Sequence, residues 1–391
     1  MSCNICGQSS LDLVLALPDY PLNSIYLKVR TKDILYKYNP RNLHLYICKN
    51  CLHFQADSDL KINELYENGY NYRTQNPGVQ RRMTFFSNQL NPLKKIKFNR
   101  VVDIGCFDLS LLKKIQNEIS ANYFIGIDPS IPFEAIRDSH GIICIKEYCD
   151  NVNLPHSNSN LPDLIISDQT FEHIPKIHKS LDRIISQAGK NSYFAVCVPS
   201  LEVLVEKLNF HNIIHEHVNY FSIHTLSRLF ENYTLSLKTF TIEHNSTCGF
   251  LFAMFSKDKK SIRNLYPNIY TKAYFLRHYE IFNNSIAVSK EIISSISGED
   301  IYGFGASDIT PNLAYFMNSD LSFLENIFDD TDYKQNTYFP FITPEIIRPD
   351  NVHKMSGSNC LITAPQATRY LFNRLINFGF KKIINPIGVV S

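Results

Sequence analysis

The 391-residue chain has no tryptophan, so large-area packing falls to its 27 phenylalanines and 22 tyrosines. It has no charge surplus. The 39 basic and 37 acidic residues leave +2, which gives no electrostatic case for a nucleic-acid partner. No apolar run approaches the roughly 18 residues of a bilayer span, so no membrane partner is expected. The first residues, Met1-Ser2-Cys3-Asn4-Ile5-Cys6, lack the basic segment and apolar stretch of a signal peptide. Repeats and low-complexity tracts are missing as well, His156-Ser157-Asn158-Ser159-Asn160 being the nearest approach to one. A globular, cytoplasmic protein of two or three domains is expected, and its oligomeric state is left open.

Cysteine, by contrast, is present at ten positions, and in a reducing compartment paired cysteines bind metal more often than they form disulfides. Cys3-Asn4-Ile5-Cys6 and Cys48-Lys49-Asn50-Cys51 are Cys-x-x-Cys knuckles separated by 41 residues. Two knuckles offer four thiolates to one tetrahedral Zn2+ with no open position, which predicts a structural site in an N-terminal lobe over residues 1–95. Gly7 suits the tight turn after the first knuckle. Residues 77–93 read as a helix approaching the next domain.

Apolar strands alternate with helical patterns from 96 to 255, which predicts an α/β domain with a doubly wound, mainly parallel sheet. The strands are expected at 99–106, 123–128, 142–145, 164–168 and 193–198. The first ends in Asp103-Ile104-Gly105 and the second in Asp128. In such sheets ligands bind beyond the carboxyl ends of the strands. Asp128 is placed to accept ribose hydroxyls, and Gly105 allows close backbone approach. Asp103 would repel a pyrophosphate but can receive an ammonium. The pattern is not the Gly-x-Gly-x-x-Gly of dinucleotide sites, so the acids favour S-adenosylmethionine over NAD.

Beyond these strands lies Ile214-His215-Glu216-His217-Val218-Asn219-Tyr220-Phe221-Ser222. Histidine beside a carboxylate suits proton transfer near neutral pH, although three adjacent polar residues also suit a solvated turn. His211, His215, His217 and His224 with Glu216 could alternatively supply a two-histidine, one-carboxylate metal site.

In the order of these motifs the chain resembles the S-adenosylmethionine-dependent sugar C-methyltransferases. The resemblance rests on both knuckles, on Asp103-Ile104-Gly105-Cys106-Phe107-Asp108 and on Gly126-Ile127-Asp128-Pro129-Ser130. Ser167-Asp168-Gln169-Thr170-Phe171-Glu172-His173-Ile174 and the His-Glu-His stretch complete it. It implies a zinc-binding lobe, a class I methyltransferase Rossmann-like domain and a second, C-terminal Rossmann-like domain, together acting on a nucleotide-linked 4-keto-deoxysugar. It further implies that Asp103, Gly105, Asp108, Asp128, Asp168 and Gln169 line the cofactor. His217 would be the base, with Glu216, His215 and Tyr72 in the active site.

The chain departs from the family at three places. Leu109 stands where a glycine usually ends the first turn, and Ile214 replaces a tyrosine. Thr247-Cys248-Gly249-Phe250-Leu251-Phe252 lacks the arginine of the matching strand. O- or N-methylation of another sugar, or a silent nucleotide-sugar-binding relative, therefore remains open. Residues 256–391 read as the second Rossmann-like unit, with a connecting helix over 268–297. Strands are expected at 301–307, 324–328, 360–365 and 381–384. Asp329-Asp330-Thr331-Asp332-Tyr333-Lys334-Gln335 resembles a family stretch here, and a purely architectural domain is the alternative.

Overall fold

The apolar run at the start of the central domain forms a strand, Lys97–Ile104, in which every residue after Lys97 is buried. Continuous burial is what a strand covered on both faces requires. The computed structural model describes residues 1–60, 77–156, 159–245, 249–257, 268–349 and 355–388.

In chain order the strands are β1 (Leu11–Tyr20), β2 (Arg41–Cys48) and β3 (Phe54–Ser58), then β4 (Lys97–Ile104), β5 (Ser120–Ile127) and β6 (Ile143–Ile145). β7 (Leu164–Asp168), β8 (Tyr193–Pro199), β9 (Asn219–Tyr220), β10 (Ser236–Glu243) and β11 (Phe250–Ser256) follow. The last five are β12 (Ile301–Phe304), β13 (Ile327–Phe328), β14 (Ile346–Ile347), β15 (Asn359–Ile362) and β16 (Lys382–Ile384). They make three sheets, ordered β1-β2-β3-β9, β10-β11-β8-β7-β4-β5-β6 and β14-β13-β12-β15-β16.

The seven-stranded sheet is parallel from β6 to β8, and β11 enters antiparallel between β8 and β10. The strand order reverses at β4, between β5 and β7, so the loops after these three strands converge at one edge. The five-stranded sheet is parallel throughout. β13 is shorter than the sequence suggests, and β14 has no counterpart in that expectation. Only Ile327–Phe328 is strand in the expected 324–328, because the Leu324 N–H closes a turn onto the Leu321 carbonyl.

The first sheet is antiparallel and ends in β9, a two-residue strand contributed from the His-Glu-His stretch. One apolar core joins this sheet to the C-terminal one. Tyr20, Leu45 and Phe54 meet Phe210 and Ile213, the helix Lys272–Ser295 through Phe275 and Phe282, and Leu313 and Ile327 beyond it. Separate clusters cover the two faces of the seven-stranded sheet. Among the described residues no helix is long and apolar enough to cross a membrane.

Candidate active site

Asp103, the last residue but one of β4, is buried, and burial together with the neighbouring Asp168, Asp128 and Asp108 raises its pKa well above the carboxylate range. Gly105 follows with φ +81°, a left-handed conformation that favours glycine, and its N–H donates to the Ile127 carbonyl at 2.8 Å. A Cβ on Gly105 would lie 2.0 Å from the Thr170 hydroxyl. The approach that glycine permits here is therefore that of the loop after β7.

Asp108 accepts from the Ser110 N–H at 3.0 Å, an Asx turn that leads through Leu109 into the helix Ser110–Gln116. Asp128, at the end of β5, accepts from the Phe107 N–H at 3.1 Å and the Ser130 N–H at 2.7 Å. The acid of the second strand thus holds the turn after the first.

Asp168 ends β7 and is gripped through both oxygens by the Arg82 Nε, at 3.0 and 3.1 Å, from the helix Pro77–Gln89. Sequence reasoning missed Arg82. A signal was available, since Arg82 lies one turn before the fully buried Phe86 on the helix's inward face, where a cation needs a partner. Gln169 has φ +55°, and its buried Nε2 has no hydrogen-bond partner among the described residues. Four carboxylates and an orphan amide donor at converging strand ends, with Arg82 engaged by Asp168, suit a cationic ligand carrying hydroxyl and carboxylate groups.

The 3-10 turn Phe171–His173 continues from this loop and meets the His-Glu-His stretch. The His173 Nδ1–H donates to the Glu216 carbonyl at 2.8 Å, which aims Nε2 toward Glu172, 3.8 Å from its Oε1. The His217 ring lies 5.0 Å from the His173 ring, centroid to centroid. Burial lowers the pKa of His173 to about 4. Burial, reinforced by His173, carries His217 well below its ordinary value. Neither oxygen of the buried Glu172 carboxyl has a hydrogen-bond partner among the described residues, and burial pushes its pKa up to about 8. Glu216 is likewise pushed up to about 7 by burial.

His215 is used differently. Its Nε2–H donates to the Tyr20 carbonyl at 3.1 Å, and its Nδ1 accepts from the Ser58 hydroxyl at 2.7 Å, so both ring nitrogens are engaged by the N-terminal sheet. The alternative histidine set does not converge. His211 is buried beside Gln366, and among the described residues the donor atoms that gather near His217 belong to Glu172 and His173, within 4.8 Å of one another. In the sequence His173 and Glu172 stand out only as part of a motif; the register of the loop against residues 216–218 brings them to His217. Tyr72 lies outside the described residues.

In the N-terminal lobe, Cys3 meets Cys51 and Cys6 meets Cys48, each pair with sulfurs 3.5 Å apart. All four sulfurs lie within 4.8 Å of one another. Sulfurs around a tetrahedral zinc with Zn–S of about 2.3 Å stand about 3.8 Å apart, so the four cysteines fit a closed metal site.

Residues 73–238 match a family model described as a methyltransferase domain. The C-methyltransferase NovU of Streptomyces niveus is 31% identical over 116 residues, which is 28% of this chain and 27% of that protein. The match thus spans about a quarter of that relative's length. Similar solved structures include the 1,6-didemethyltoxoflavin-N1-methyltransferase of Burkholderia thailandensis with bound S-adenosylhomocysteine, at a TM-score of 0.40 and 11% identity, covering 54% of this chain and 98% of that one. The N-methyltransferase NodS of Bradyrhizobium japonicum WM9 in complex with S-adenosylhomocysteine has a TM-score of 0.37 and 12% identity, covering 50% of this chain and 97% of that one. The central part of the chain is a methyltransferase domain on a Rossmann-like sheet.

Proposed function

We propose that this domain makes the chain an S-adenosylmethionine-dependent methyltransferase that methylates the carbon beside the ketone of a nucleotide-linked 4-keto-deoxysugar, with His217 as base. The observation that carries the reading is the 5.0 Å approach of the His217 ring to that of His173, which lies on the loop that begins at Asp168 and Gln169. A proton-handling group and an acidic ligand edge adjoin there. The likeness to a C-methyltransferase supports carbon as the acceptor.

S-adenosylmethionine, when bound, supplies an electrophilic methyl on a sulfonium. The acidic strand ends suit its two positive charges: Asp103 is assigned the ammonium, Asp128 the ribose hydroxyls and the orphan Gln169 amide the methionine carboxylate. Asp108 and Gly105 shape the turn between them. His217 is neutral at physiological pH because burial disfavours its charged form, so its lone pair is available to take the proton beside the ketone. His173 neighbours that base, and the protonated Glu172 leaves no buried negative charge beside it. Glu216 enters through its carbonyl and His215 anchors the stretch, while Tyr72, outside the described residues, has an active-site role by the family resemblance alone. Cys3, Cys6, Cys48 and Cys51 hold a structural zinc.

A second reading, O- or N-methylation of an acceptor without a nucleotide, draws on Phe252. It stands in the place of the family's arginine and is fully buried in β11, leaving that strand position no cation for a phosphate.

The test is a reaction with 13C-methyl-labelled S-adenosylmethionine and candidate keto-sugars, read by NMR. A new carbon–carbon coupling supports the first reading, an ether or amine methyl the second. His217→Ala is expected to abolish turnover, by the roughly 100-fold or more of a lost general base, with cofactor affinity unchanged in calorimetry. Near-normal rates in that variant would remove His217 as the base.

A further inference from the structure

The C-terminal sheet has the strand order of a nucleotide-binding fold, yet its own side chains fill the place where a ligand would approach. Asp329, at the end of β13, accepts from the Ala306 N–H at 2.9 Å and the Thr331 N–H at 2.9 Å, and stands 3.5 Å from the Lys334 ammonium. Lys334 is itself buried and donates to the Ala306 carbonyl at 2.7 Å. A Cβ on Gly305 would lie 2.6 Å from the Ala364 Cβ. This turn is packed against itself, and what it presents to the rest of the molecule is the helix Thr310–Phe316.

Asn312, in the first turn of that helix, is fully buried. Its amide Nδ2 donates to the His211 carbonyl at 2.8 Å and to the Ile213 carbonyl at 3.2 Å, while its Oδ1 accepts from the Asn23 amide at 2.8 Å. One side chain thus ties the C-terminal domain, the N-terminal lobe and the entry to the His-Glu-His stretch. The residues beyond are held by other elements. The Tyr20 hydroxyl donates to the Ile213 carbonyl, the Tyr220 hydroxyl spans the Ile214 backbone, and the Val218 N–H donates to the Glu172 carbonyl. Asn312 is the C-terminal domain's brace on this chain of contacts. The Ile213 carbonyl keeps the Tyr20 hydroxyl, but the His211 carbonyl loses its donor, and a buried carbonyl so stripped costs its full desolvation, so the stretch relaxes when the amide is removed.

We propose that Asn312 is a positioning residue for His217: the C-terminal domain holds the base against His173 by fixing residues 211–213 through this side chain. The proposal rests on the reading of His217 as the base. Asn312→Ala is therefore compared with wild type by amide hydrogen exchange and by NMR of ring-labelled histidine, with the His217 signal assigned through His217→Ala. Loss of the two bonds is expected to speed exchange at the His217 and Val218 amides by about 10- to 100-fold, with exchange in Ser110–Gln116 unchanged. The His217 ring signal should move or broaden while that of His178, on the helix Ile177–Ile185, stays in place. S-adenosylmethionine affinity should stay within about twofold of wild type, since its assigned ligands lie on other loops. Unchanged exchange and an unmoved His217 signal in a folded Asn312→Ala would overturn the proposal.

If that variant does not fold, Asn312→Asp decides the matter by the same two readouts. It keeps the side chain's volume and an acceptor for the Asn23 amide but has no amide to donate to the His211 and Ile213 carbonyls, so loosening at residues 213–218 supports the brace and its absence refutes it. Failure of the wild type to bind S-adenosylmethionine would sink the methyltransferase reading instead, and leaves the exchange result interpretable.

Discussion

Leu109 stands in a left-handed turn, φ +66°, that glycine adopts at lower cost, and it is fully buried there. The room for its side chain comes from the next strand. A Cβ on Gly126 would lie 2.6 Å from the Leu109 Cδ2 and 2.8 Å from the Cys106 Sγ. The two positions form one packing unit, so Gly126→Ala should destabilise by about 1–3 kcal/mol through overpacking. It should cost measurably less in a Leu109→Gly background, where the clashing branch is gone. Urea unfolding of the two single variants and the double variant measures the coupling, and additive effects would refute it.

Glu172 supplies a pH test. Its folded pKa is raised from 4.5 to about 8, so the folded state holds a proton that the unfolded chain has released between those values. Its contribution is fully present below pH 4.5 and is lost as pH rises toward 8. Glu172→Gln should flatten the fall in stability across that window, and a slope identical to wild type would show that Glu172 is ionised in the fold. Both features mark a limit of the sequence. Leu109 is visible as a departure from a glycine turn, but its partner Gly126 and the orphan state of Glu172 depend on contacts that only the folded register creates.

Among the elements, β4, β5, β7 and β8 are legible because strands covered on both faces read as apolar runs. β9 is not, since two residues carry no periodicity and pair with β3 only through tertiary approach. The cysteine spacing revealed the knuckles, and it is the hairpin of β1 and β2 that brings them together. Arg100 breaks the apolar reading of β4. It is fully buried and binds Asp163 through Nε at 3.0 Å and a terminal nitrogen at 2.6 Å, with the Pro155 and Gln187 carbonyls each accepting a further proton. Asp163 also accepts from the Gly189 N–H at 2.8 Å, so the pair closes the amino ends of β4 and β7 against the loop before β8. Arg100→Met leaves that carboxylate buried without its cation and should cost about 3–5 kcal/mol in chemical denaturation. The double variant with Asp163→Leu should recover most of the loss, because removing both charges also removes the desolvation penalty. Equal losses in the single and double variants would refute the charge argument.

Across the whole molecule the N-terminal lobe acts as a bridge rather than an appendage. Cys3, Ile5, Cys48 and Cys51 belong to the core on one face of the seven-stranded sheet, with Val198, Phe221 and Leu226. Leu43, Leu45 and Phe54 of the same lobe belong to the core shared with the C-terminal sheet. Ile5 is bound to the central domain as well, its carbonyl accepting from the His178 Nε2–H at 2.9 Å. A metal at the four cysteines would therefore stabilise both cores, since binding to the folded state alone stabilises everything that folds with it. Cys48→Ser, or a strong chelator, should lower the melting temperature of the entire chain in one transition. Elemental analysis should find one zinc per wild-type chain and none in the variant. A small early transition that leaves the main one in place would show that the lobe unfolds on its own. An unmoved melting temperature without zinc would end the metal assignment. Because β9 pairs with β3 of this lobe and Ser58 of the lobe contacts His215, the same loss of metal should also loosen the His217 stretch, read as faster exchange of its amides at temperatures below the transition.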